Sequence, residues 1–180
     1  MNQLPITIHL EIPNDPERIY ECTKHVLASI QEHVALDLGF QRRIKMIVIE
    51  LITNSIKHAS ESTTQIQLTI DHPSLSIQKI EKGLKIEFSA ASPQLPFEDL
   101  DKTLNVSFSE VKKHNIQPLS EYKFKFLKPS SDDALSIEHM PENFGLYIIT
   151  LASDSFTYQY DPDLGESSFT VLLDLYNFVT

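Results

Sequence analysis

Ile6, Ile8, Leu10 and Ile12 alternate with Thr7, His9 and Glu11, the period of a strand with one buried face, and Pro13-Asn14 ends the run. Asp15-Pro16-Glu17 then offers a capping side chain and a proline suited to a first helical turn. Ile19, Cys22, Val26 and Ile30 follow at helical spacing, to about Glu32. Asp37-Leu38-Gly39 reads as a linker before a second helix from roughly Gln41 to His58. The period returns to two in Ile66-Leu68-Ile70, in Leu75-Ile77 and in Leu84-Ile86-Phe88, which predicts three short strands with turns at His72-Pro73 and Lys82-Gly83.

From Ala90 to Met140 the pattern weakens. Phe97-Glu98-Asp99-Leu100 predicts the start of a helix continuing through Leu104 and Val111, and Ser130-Ser131-Asp132-Asp133 predicts a solvated loop. Tyr122-Lys123-Phe124-Lys125-Phe126 interleaves aromatics with lysines, a pattern of nucleic-acid stacking surfaces and equally of a strand with one wet face. Pro141-Glu142-Asn143 starts a helix carrying Leu146, Ile148, Ile149 and Leu151. Two strand-like runs, 156–160 and 169–173, are joined across Asp163-Leu164-Gly165. No repeat or long linker divides the chain, so residues 1–180 read as one α+β domain, a mostly antiparallel sheet with helices packed on one face.

Composition narrows the function. A chain of 180 residues with 41% hydrophobic positions can bury a core without staples. Its 25 acidic against 15 basic residues, a net charge of −10, oppose binding through phosphate neutralisation and favour the wet-face strand at 122–126. They also oppose a membrane-surface role. No apolar run approaches the roughly 20 residues of a spanning helix, and Met1-Asn2-Gln3-Leu4-Pro5 lacks the plan of a signal peptide, which makes the cytoplasm the expected location. The single cysteine, Cys22, falls among apolar neighbours and reads as a small core residue. Glycine is scarce: 4, where usage of about 7% would give roughly a dozen.

The second helix carries a polar strip on an otherwise apolar circumference. Ile44 to Ile52 reads Ile-Lys-Met-Ile-Val-Ile-Glu-Leu-Ile, and at roughly 100° per residue Glu50, Asn54, Lys57 and His58 share one sector. Unpaired carboxylates and amides are costly to bury, so the strip is either paired internally or faces a cleft. In the first case Glu50 bonds Asn54 while Lys57 and His58 reach solvent at a helix end that suits cations. In the second, the carboxylate holds a water or hydroxyl nucleophile, the amide oxygen ligates magnesium and the lysine meets phosphate.

Glu50-Leu51-Ile52-Thr53-Asn54-Ser55-Ile56-Lys57-His58-Ala59 closely resembles the asparagine box of the GHKL superfamily, the Bergerat-fold ATPases. That superfamily includes histidine-kinase catalytic domains, DNA gyrase, heat-shock chaperones and anti-sigma-factor serine kinases, and the Lys-His-Ala ending is most similar to the anti-sigma-factor and sensor kinases. Phe144-Gly145-Leu146-Tyr147-Ile148-Ile149 resembles the family's late glycine box, and the order of elements agrees over nearly the whole chain. The resemblance implies a two-layer α/β sandwich with a mostly antiparallel mixed sheet, and a variable, lid-like region over 92–140. It implies Glu50 as general base, Asn54 as magnesium ligand, Lys57 and His58 near phosphates, and Asn143, Phe144 and Gly145 at an anion-favouring helix N-terminus, with ATP and magnesium as cofactors.

The departures from the family pattern bear on function. The strand after the box should end in Asp-x-Gly-x-Gly, whose aspartate bonds the adenine amino group; the alignment puts Ala90, Ser92 and Gln94 there, and Asn143 replaces a glycine of the late box. The resemblance with its departures therefore implies a regulatory protein with weak or lost ATP binding. It would act through a sigma-like or antagonist-like protein partner or as a homodimer. The alternative is an active, Mg-ATP-dependent serine/threonine protein kinase similar to the anti-sigma factors. The chain has no room for a phosphoacceptor helix pair, which opposes a histidine-kinase role. A third possibility is an unrelated α/β domain in which the strip is structural.

Overall fold

The structure is a computed structural model that describes residues 4–58, 61–83, 85–109, 112–129 and 144–176. Eight strands form one sheet: β1 (Ile6–Pro13), β2 (Thr63–Asp71), β3 (Ser74–Lys82), β4 (Leu104–Ser109), β5 (Lys112–Ser120), β6 (Lys123–Phe126), β7 (Ser155–Asp161) and β8 (Glu166–Asp174). Three α-helices accompany it: α1 (Ile19–Gln31), α2 (Leu38–His58) and α3 (Phe144–Ala152). The strand order is β1-β2-β3-β8-β7-β6-β5-β4. Two sequential groups, β1 to β3 and β4 to β6, are thus joined through the hairpin of β7 and β8, which lies between them.

The expected two-layer α/β sandwich with a mixed sheet is corrected by this topology. Every neighbouring pair of strands is antiparallel, and among the described residues strand outweighs helix, 39% against 30%, so the fold is not a helix-rich sandwich. The physical reason lies in the segment expected to be a helix and a lid. Leu104, Val106 and Phe108 turn inward at every second position, as do His114, Ile116 and Pro118, and then Phe124 and Phe126. That period builds β4 and β5 in place of the expected helix through Leu104, and β6 as the wet-face strand expected at 122–126; Val111 and the expected loop at 130–133 lie outside the described residues. The strand expected at 84–88 is also absent: residues 85–88 have no regular structure, and Leu84 is not described.

Helix α2 begins three residues earlier than the apolar spacing indicates. The Asp37 carboxylate accepts from the Phe40 amide at 2.7 Å, an N-cap bond to the third helical residue that turns the expected linker into a helix start. Asp15 caps the short 3-10 turn before α1 in a related way, accepting from Glu17 N–H at 2.9 Å. Helix residues such as Val26, Ile47 and Ile149 join Leu68, Ile77 and Val171 of the sheet in one core, and Cys22 is buried in it, as its apolar setting predicts.

Aromatic rings reinforce the β6–β7 seam. Phe126 and Phe156 are register partners and stack at 4.6 Å, while Phe124 and Tyr158, two pairs further on and on the same face, lie 5.2 Å apart. Contacts of this kind add about 0.5–1.5 kcal/mol each beyond the area they bury. At the other end of α3, the Arg43 guanidinium of α2 donates to the Ala152 carbonyl and pairs with Asp154 at 2.9 Å. The cation meets the carbonyl end of the helix, where it suits the helix dipole, and holds α3 beside α2.

Candidate functional site

Glu50 and Asn54 lie one turn apart on α2, both half-buried, and α3 approaches them at Gly145. A side-chain carbon placed on Gly145 would stand 2.4 Å from Glu50 Oε2 and 3.6 Å from Asn54 Oδ1. Only glycine admits this approach with the carboxylate where it is. Glu50, Asn54 and Gly145, three of the residues on which the resemblance rests, are therefore neighbours in space. Burial pushes the Glu50 carboxyl above the usual range, and Lys57 partly opposes that shift. Lys57 itself is exposed, as is His58, the last residue of α2. Phe144 opens α3, and its ring stacks against Tyr147 at 5.8 Å; Asn143 lies outside the described residues.

A cavity of about 490 Å³ opens beside this pair. Asn54 and His58 line it from α2 and Leu146 from α3, while residues 85–87 form part of its rim. Glu50, Lys57, Phe144 and Gly145 do not line it. Its floor is the sheet. The alternation of β3 sends Leu75 and Ile77 into the core and then, in the same phase, Lys79 and Glu81. These two are only 2% and 7% exposed and form an ion pair of 2.9 Å. Across the ladder, Glu81 faces Ser167 and Lys79 faces Phe169, whose ring centroid is 4.8 Å from the ammonium. Burial pushes the Lys79 ammonium below its usual range, and Glu81 opposes the shift by charge and hydrogen bond.

A polar atom on this floor is left over. Glu81 Oε1 is buried without a hydrogen-bond partner, whereas the Ser167 hydroxyl, also buried, is near enough to the Tyr158 phenol to oppose its upward shift by hydrogen bonding. The Tyr158 hydroxyl accepts from the Ile86 amide at 2.8 Å and ties the rim to the sheet. Burial pushes that phenol up to about 12, so it stays neutral in the physiological range.

None of Lys79, Glu81, Tyr158 and Ser167 was among the expected site residues. The position aligned with the family's aspartate, Ala90, is exposed in a turn outside the cavity, whereas a carboxylate does reach the cavity from Glu81. Strand phase, which Leu75 and Ile77 begin to set, is the signal that points to it, but Ile80 in the opposite phase masks that signal in the residues alone.

Magnesium, which the resemblance implies, would find two oxygen donors here, Asn54 Oδ1 and Glu50 Oε2, both within 4 Å of one point beside Gly145. Hard oxygen donors suit the ion, yet two are a minority of an octahedral shell, and water and phosphate would have to supply the rest. Among the described residues no group of three or more His, Cys, Asp or Glu side chains could hold a metal, and no helix is long and apolar enough to cross a membrane. Neither the models of known protein families nor the curated proteins contain a match to this chain.

Proposed function

We propose that this protein is a regulator related to the GHKL ATPases, that it binds ATP weakly or not at all, and that it acts in the cytoplasm through a protein partner. The observation that carries this reading is the place of Ala90, exposed in a turn outside the cavity. An alanine there offers no side-chain acceptor to an amino-bearing base, and a pocket built on such a polar contact discriminates through it. The partner by analogy is sigma-like or antagonist-like, or a second copy of the chain.

One observation favours an active Mg-ATP-dependent serine/threonine kinase instead: Glu50 and Asn54 keep a common locus beside Gly145. Calorimetric titration with Mg-ATP and Mg-ADP separates the two. The regulator should show no binding below about millimolar, which leaves roughly 4 kcal/mol or less of affinity. Micromolar binding, with turnover abolished by Glu50→Ala, would transfer the assignment to the kinase. Capture of a protein partner should survive Asn54→Ala, and its loss would count against the regulatory reading.

A further inference from the structure

The two edges of the sheet are finished differently. At β4, residues 89–92 lie against the strand: the Ser107 carbonyl accepts from the Ser89 amide at 2.6 Å, and the Ser107 amide donates to the Ser92 hydroxyl at 2.9 Å. At β1, no hydrogen bond from the described residues reaches the outer side. This strand is eight residues long, pairs with β2 without a bulge and carries no lysine, so of the usual devices that blunt an edge it has only Pro13 at its end. Asn14 fixes which backbone groups are free. Its amide donates to the Ser62 carbonyl at 2.8 Å, one step beyond the Pro13–Thr63 pair. Because backbone groups turn to alternate sides along a strand, Ile12, Leu10 and Ile8 point theirs at β2, while Glu11, His9 and Thr7 point theirs outward. Pro13 shares the outward phase, where its missing N–H costs the ladder with β2 nothing.

Side chains along this edge are also incompletely covered. Ile70, Leu68 and Ile66 on β2 are 6%, 0% and 1% exposed, yet Ile6, Ile8 and Leu10, their register partners on the same face, are only half-buried. An apolar border beside a row of open N–H and C=O groups fits another strand. We propose that this strand is β1 of a second copy of the chain, antiparallel to the first about a two-fold axis at Leu10, which joins the two sheets into one. The strand is self-complementary in that register. His9 faces Glu11 of the second copy, and Glu11 faces its His9, so an imidazole and a carboxylate meet twice on the exposed side of the sheet. On the other side Leu10 meets Leu10 and Ile8 meets Ile12, which continues the apolar face across the seam. The outward amides and carbonyls of His9 and Glu11 pair with each other, and Thr7 N–H donates to the carbonyl of Pro13, the one backbone group that proline has to offer. An axis at His9 would instead set histidine against histidine and Glu11 against Thr7. This homodimer goes beyond the regulatory reading, since it holds equally for an active kinase, and β1 takes no part in the cavity.

Sedimentation equilibrium of the full chain without nucleotide, from micromolar to near-millimolar protein, tests it. The chain should behave as a monomer–dimer pair, and the Thr7, His9 and Glu11 amides should gain protection from hydrogen exchange as the dimer fills. His9→Pro removes an outward N–H without touching the β2 ladder and should weaken the dimer roughly tenfold or more. His9→Glu should also weaken it, by setting carboxylates against Glu11, and adding Glu11→Lys to that variant should restore it. A monomer throughout the range, which would leave the edge to a strand of another protein, overturns the proposal. So does a dimer unmoved by His9→Pro, or a charge exchange that fails to rescue, since an axis at His9 would keep like charges opposed. If circular dichroism shows that His9→Pro does not fold, the charge exchange and the amide protection decide.

Discussion

Two acidic side chains stand within one small region and are handled in opposite ways. Glu50, between α2 and α3, is half-exposed and has the Lys57 charge as its nearest electrostatic relief; Glu81, on the sheet floor, is 7% exposed and in direct contact with Lys79. Partial exposure lets Glu50 keep water as a partner. Glu81 has given that up, so its tolerance of burial depends on one cation. The first site is thus electrostatically loose and easily altered, and the second is tightly coupled, so that either member alone is a liability.

The sharpest way to break this contrast is to remove one carboxylate at a time. Glu81→Ala leaves Lys79 buried and unpaired and should cost about 3–5 kcal/mol in urea unfolding, whereas replacing both by methionine should be close to neutral. If Glu81→Ala and the methionine pair destabilise equally, the pair is not coupled as described. Next in size is the contact at Gly145. In a Glu50→Ala background, Gly145→Ala should stabilise by about 0.5–1 kcal/mol through helix propensity. With Glu50 present the new methyl displaces its carboxylate and the gain should vanish, giving a coupling of roughly 1 kcal/mol in a double-mutant cycle. Additive effects would show that the two residues do not touch in solution.

The smallest effect is a pH dependence. Folding raises the Glu50 carboxyl above its ordinary 4.5, so the folded chain holds that proton more tightly than the unfolded one. Protonation therefore adds stability as pH falls through the raised value, and the ionised side chain detracts from stability above it. Glu50→Gln should raise the melting temperature at pH 7 by roughly a degree, because exposure discounts the penalty. The gain should fade as pH falls through the raised value toward 4.5. A gain that persists below that range would point to packing rather than charge.

The same two sites explain what could be read from the residues alone. Glu50 and Asn54 stand out because a carboxylate and an amide interrupt an apolar helix, and the 3.6-residue period places them on one side at once. The Asn54 side of the cavity was accordingly legible. Lys79 and Glu81 are concealed by the sequence Ser-Leu-Ser-Ile-Gln-Lys-Ile-Glu-Lys, where Ile80 breaks the phase and suggests that both charges face water. Only the ladder with β8 makes their side the covered one. Strands β4 and β5 escaped for a related reason: His114 and Pro118 occupy inward positions between apolar ones, and a half-polar alternation looks like a loop until neighbouring strands supply the burial, whereas the wet-face strand expected at 122–126 is β6. The early start of α2 was missed because Asp37 acts through a side-chain bond to the backbone, which hydrophobic spacing does not register.

The position of the β7–β8 hairpin has a consequence for synthesis of the chain. These are the last of the eight strands to be made, yet they occupy the middle of the sheet. Until they arrive, the edges of β3 and β6 have no partner, and the half-site on β3 has no opposing Ser167 or Phe169. The central seams are closed by contacts between distant parts of the chain, so sheet completion is a late and comparatively slow event. A nascent chain held short of β8 would present two open edges to its neighbours, which makes the final hairpin the element that protects this protein from pairing with itself while it is being made.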